Sequence, residues 1–134
     1  MSEEEAWEQP GIVSLWVGRC GSEEELERYL TYTYTEDGDG IAPPFADDFR
    51  IFYFDVDFRE AYLADSPGVG LAYLLAGCSC EEEVIPRFMQ LHPEPFPEER
   101  NAVILLYNFA YHGHVRHAAN EWLSFDYIGL VRYE

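Results

Sequence analysis

Three histidines stand close together as His112-x-His114-x-x-His117, and two cysteines as Cys78-Ser-Cys80. Imidazole and thiolate are the side chains that hold zinc and related ions, so these are the first residues whose chemistry must be weighed. The pattern is incomplete: no second half of a zinc signature is present, and one residue separates the cysteines where zinc knuckles have two or more. Asp55, Asp57 and Glu60 resemble the paired carboxylates of acid-base catalysis, but such spacings arise readily in a chain with 26 acidic residues. Asp37-Gly-Asp39-Gly matches part of a calcium loop and lacks the remaining ligands and the closing Glu. Cys20 falls between a strand and a helix, where a helix N-terminus favours thiolate, and Glu23, Glu24 and Glu25 in the first turn oppose that effect. There is no Gly-x-Gly-x-x-Gly, no Gly-Lys-Ser/Thr loop and no Gly-x-Ser-x-Gly elbow. The sequence contains no lysine at all, which excludes a Schiff-base or phosphate-clamping lysine. No catalytic residue, metal site or cofactor is therefore expected.

The charge is more informative. The 134 residues carry 26 Asp and Glu against 8 Arg, for a net charge of -18. Residues 1–65 hold 17 of the acids and 4 of the arginines. Such a surface repels phosphate backbones and anionic membranes, so neither is expected as a partner. It favours a basic protein, with encounter accelerated at low salt. The acidic N-terminus, Met1-Ser-Glu-Glu-Glu, lacks the basic start of a secretory signal. A cytoplasmic location with three reduced thiols, Cys20, Cys78 and Cys80, is expected.

Length and an apolar content of 48% predict one domain with its own core, residues 11–134, behind a flexible acidic tail at 1–10. Ile12 to Val17 is an apolar β-rich run closed by Gly18, which predicts a central strand in which Trp16 fills core. Ser22 with Glu25 forms a capping box for a helix whose apolar stripe is Leu26, Tyr29 and Leu30. Residues 36–48 read as an acidic loop, and Phe49–Phe58 as a strand whose end places Asp55 and Asp57 on one side. Asp65–Gly68 reads as a turn and Val69–Ala76 as a short buried helix. Residues 81–91 read as an amphipathic helix with Ser79 as its cap and a kink at Pro86. Asn101–Tyr111 and Trp122–Tyr133 predict two more strands, paired as a hairpin, with 112–121 a loop or one helical turn. The expected fold is α+β, with a mainly antiparallel sheet of about four strands and helices packed on one face.

The opening Val13-Ser14-Leu15-Trp16-Val17-Gly18, followed by Ser22-Glu-Glu-Glu-Leu26 and Tyr29-Leu30, resembles the immunity protein 22 family of bacterial polymorphic toxin systems. Asp48-Phe49-Arg-Ile-Phe-Tyr-Phe-Asp55-Val-Asp57-Phe58, the run Asn101–Phe109 and the closing Phe125-x-Tyr-Ile-Gly129-x-Val-x-Tyr133 are similar to later parts of the family pattern. Residues 78–100 depart from it: Cys78-Ser79-Cys80 stands where the family has an aromatic Ser-Tyr-type motif. The resemblance implies a cytoplasmic antitoxin, not an enzyme, that neutralises a cognate toxin by tight binding. Many such toxins are nucleases with basic grooves, which an acidic surface fits. On this reading the interface is an acidic rim of Asp37, Asp39, Asp47, Asp48, Asp55, Asp57 and Glu60. Tyr32, Tyr34 and Phe45 beside it would supply aromatic contact area. The alternatives are a generic acidic regulatory subunit and a small metal-binding protein built on His112, His114 and His117.

Overall fold

The computed structural model describes residues 7–134. Residues 1–6 of the expected tail lie outside the described residues, while Glu8–Pro10 already belong to the first strand. Seven strands and four helices follow: β1 Glu8–Cys20, α1 Glu23–Leu30, β2 Thr33–Tyr34, β3 Gly40–Ile41, α2 Pro44–Phe49, β4 Arg59–Gly68, α3 Leu71–Leu75, α4 Glu81–Leu91, β5 Arg100–Phe109, β6 His117–Ala119 and β7 Leu123–Arg132. A 3-10 turn at Val56–Phe58 leads into β4. Five strands form one antiparallel sheet in the order β4-β5-β1-β7-β6, and β2 and β3 form a small separate hairpin.

The α+β class is as expected, with five main strands instead of about four. The helices occupy both faces of the sheet, two on each, where one face was expected. The cause lies in β1. Val13, Leu15 and Val17 point to one face and pack with Leu71, Leu74, Leu75, Val84 and Phe88 of α3 and α4. Trp16 and Cys20 point to the other and pack with Leu26, Tyr29 and Leu30 of α1 and Phe45, Ala46 and Phe49 of α2. Ala102, Ile104 and Leu106 of β5 join the second group, Val103 and Leu105 the first. A strand apolar on both sides needs cover on both sides, and each fully buried large side chain contributes about 1.5–3 kcal/mol.

Three local expectations are corrected. The aromatic run 49–58 is not a strand. Pro44 at the first helical position presets the backbone of α2, and Arg50 ends that helix in the left-handed conformation with φ 60°. Phe49, Ile51 and Phe54 are then buried while Phe52 and Tyr53 are exposed, without the alternation of a strand. The predicted acidic loop 36–48 accordingly gives up its last residues to β3 and α2. Second, β5 and β7 do not pair, because β1 lies between them; the hairpin partner of β7 is β6, from the histidine segment. Third, β4 continues through Asp65–Gly68, with a register break after Leu63 in place of a turn.

The caps divide similarly. Ser22 Oγ accepts from the Glu25 amide over 3.2 Å, as its position predicts. The cap of α4 is Cys80 in left-handed conformation, not Ser79, and the helix runs on through Pro86.

Candidate functional site

The motif Ser14-Leu15-Trp16-Val17-Gly18 is the keel of the fold. The Ser14 side chain is fully buried; its hydroxyl donates to the Phe109 carbonyl (2.8 Å) and accepts from the Tyr111 amide (3.0 Å). This pins β1 to the chain just beyond the left-handed Asn108, where β5 ends. Leu15 enters the α3/α4 core. Trp16 meets Phe45, Phe49 and Tyr111 edge-on, with centroids 5.0, 5.9 and 5.3 Å away. At Gly18 a Cβ would stand 1.8 Å from the Ser124 carbonyl oxygen, so only glycine lets β7 approach.

The predicted acidic residues fall into three places. Asp37 and Asp39 sit at the turn of the β2–β3 hairpin, fully in solvent. Asp47 and Asp48 lie on the outer side of α2. Asp48 accepts from the Tyr29 hydroxyl over 2.8 Å; burial, and then this carboxylate, hold that phenol far above its usual range. Asp55, Asp57 and Glu60 gather where the 3-10 turn enters β4. The Asp55 carboxylate caps the turn by accepting from the Asp57 amide over 2.9 Å; Asp55 is half-buried and Asp57 exposed.

Glu60 is committed inward. Its carboxylate accepts from the Ser79 amide (2.9 Å) and hydroxyl (3.1 Å) and shares, at 3.1 Å, the proton that the Tyr107 hydroxyl donates to the Ser79 carbonyl at 2.8 Å, tying β4 and β5 to the start of α4. Burial and the neighbouring Glu60 push the Tyr107 phenol far above its usual pKa, so it stays a neutral donor. Two clefts meet at Phe58 and Tyr107. Asp57 and Glu60 line one; Glu8 and Asp55 line the other, a cleft of about 350 Å³ whose floor includes Leu106 and Phe109.

Of the aromatics expected beside the rim, Tyr34 is 72% exposed, Tyr32 is half-buried with its hydroxyl accepting from the Phe54 amide, and Phe45 is wholly core. Phe45 therefore supplies no contact area, because α2 turns it toward Trp16. The exposed aromatics near Asp55 and Asp57 that sequence reasoning missed are Phe52, Tyr53 and Phe58, accompanied by Val56. Their signal was visible as apolar residues interleaved with Asp55 and Asp57, but the strand reading assigned that alternation to a sheet.

The histidines do not converge. His112 packs against Trp7, His114 is exposed, and His117 Nδ1 lies 2.6 Å from Asp126 Oδ1. Arg100 holds the other Asp126 oxygen at 2.5 Å. Cys78 is buried and Cys80 exposed, and all three cysteines are free thiols. Among the described residues no three His, Cys, Asp or Glu side chains are grouped to hold a metal ion, and no helix is long and apolar enough to cross a membrane.

No curated protein and no solved structure matches the chain. The sequence profile of the family described as immunity protein 22 matches residues 13–134, from the keel of β1 to the last residue, and the chain belongs to that family.

Proposed function

We propose that this protein is a cytoplasmic antitoxin of a bacterial polymorphic toxin system, which binds a cognate toxin through its acidic surface and acts by binding, not by catalysis. The observation that carries this reading is the family match over residues 13–134. The net charge of -18 supports the rest, because it favours a basic partner and repels nucleic acid and anionic membranes. A nuclease is the toxin class that the charge fits best: a groove built to hold phosphates is basic, and carboxylates can occupy it. Asp37, Asp39, Asp47 and Asp57 are free to make such contacts, Asp55 caps the 3-10 turn through one carboxylate oxygen, and Asp48 and Glu60 are engaged within the protein.

The test is rescue. The toxic domain encoded beside this gene is expressed in a bacterium with and without the protein. Survival only with both, and co-purification of the two, is the expected result. Toxicity without rescue would overturn the reading.

A further inference from the structure

We propose that the segment Phe52–Phe58, together with the cleft it shares with the start of β1, is the surface that docks the toxin, and that its occupant is a basic, arginine-bearing face of that toxin. The inference rests on the immunity reading above and says where on the molecule it is carried out.

The ledge presents four apolar side chains to solvent. Phe52 is 73% exposed, and Tyr53, Val56 and Phe58 are each about half exposed, within seven residues of sequence. Single exposed apolar residues are ordinary, but a cluster of them marks an interaction site. The segment is also held in place. Phe54 and Ile51 anchor it in the core, the Phe54 amide donates to the Tyr32 hydroxyl, and Asp55 caps the 3-10 turn. An aromatic surface fixed before binding loses little entropy on association, which is the condition for a hot spot.

Charge selects the occupant. Asp55 and Asp57 alternate in sequence with the apolar side chains, and Glu8 lines the cleft together with Asp55. No basic side chain lines that cleft among the described residues. Arg59, in the neighbouring cleft, is paired to Glu27 at 3.4 Å. Carboxylates without a local counter-charge, above a floor of Leu106, Phe109 and Phe58, suit a guanidinium, which stacks on aromatic faces and donates to carboxylates at once. A second copy of this chain would bring the same negative charge to the ledge and is disfavoured.

Binding of the purified toxic domain encoded beside the gene is measured for five proteins of matched thermal midpoint: the wild type, Phe52→Ala, Phe52→Ala/Phe58→Ala, Asp55→Asn/Asp57→Asn, and Trp122→Ala. Trp122 is 65% exposed at the opposite end of the sheet, where β7 begins beside Cys20. The expected result is dissociation about tenfold faster or more for the aromatic variants, association about tenfold slower at low salt with a flatter salt dependence for the aspartate pair, and wild-type rates for Trp122→Ala. Wild-type rates in the aromatic and aspartate variants, from a protein that still binds and protects, would overturn this surface and leave the immunity reading standing. A wild type that neither binds nor protects would overturn both. A dimer that the Phe52 variants convert to monomer, with toxin binding unchanged, would assign the ledge to self-association and overturn the proposal.

Discussion

Ser14 and Tyr111 are joined by a hydrogen bond of 3.0 Å between a buried hydroxyl and a backbone amide 97 residues away. The same hydroxyl donates to the Phe109 carbonyl, so one side chain serves both partners where regular pairing with β5 has ended. Ser14→Ala leaves that amide and that carbonyl buried without partners. The expected cost is about 1–3 kcal/mol, read as a lower urea midpoint with an unchanged slope. A midpoint equal to that of the wild type would mean that the junction relaxes around the loss.

Glu60 separates the folded network from the proposed docking surface. Glu60→Ala removes the acceptor of the Ser79 amide and hydroxyl and should lower stability by about 1–2 kcal/mol. The Asp55→Asn/Asp57→Asn pair should leave stability nearly unchanged, because asparagine keeps the acceptor that caps the turn and Asp57 is exposed. Chemical denaturation of both variants checks this; equal losses would place the two aspartates in the structural network as well.

The thiols should differ sharply in reactivity. Burial and the nearby Glu60 and Glu81 push the Cys78 thiol up to about 12, and burial also raises Cys20. Thiolate is the reactive form, so at pH 8 an aromatic disulfide reagent should modify one thiol of the native protein, Cys80, at once. All three should react in denaturant. Three fast thiols in the native state would contradict the buried placement of Cys20 and Cys78.

Asp126 gives a defined pH dependence. Burial works to raise its pKa, but hydrogen bonds and charge from Arg100 and His117 outweigh it, and the carboxyl titrates below its ordinary value. A group whose folded-state pKa is depressed contributes stability that is full above the unfolded value, about 3.9, and is lost as pH falls through the folded value. Asp126→Asn should therefore lower the thermal midpoint at pH 7, and the gap from wild type should close below about pH 4. A gap independent of pH would assign the effect to packing.

Local signals reached some of these elements and not others. The apolar run Ile12–Val17 identifies a central strand, and Ser22 with Glu25 marks the start of α1, because both features act within a few residues. The aromatic run 49–58 failed because its composition suits a strand, while its fate is decided by Trp16, which draws Phe45, Phe49 and Tyr111 to one face. The supposed β5–β7 hairpin failed because nothing near either strand shows that β1 will lie between them. The acidic residues of the candidate surface could be counted in sequence, but not their engagement: Asp48 and Glu60 look like Asp47 and Asp57 until Tyr29, Ser79 and Tyr107 are in place.

The central position of β1 also governs the order in which the protein can come into being. Leu15 pairs with Leu105 on one side and with Gly129 on the other, so β1 waits for both β5 and β7. Contacts this distant in sequence make folding slow and place closure of the sheet after the synthesis of β7. A chain interrupted before Leu123 leaves one side of β1 uncovered, however complete its acidic segments. The sheet that carries the acidic surface is therefore closed only once β7 has been made.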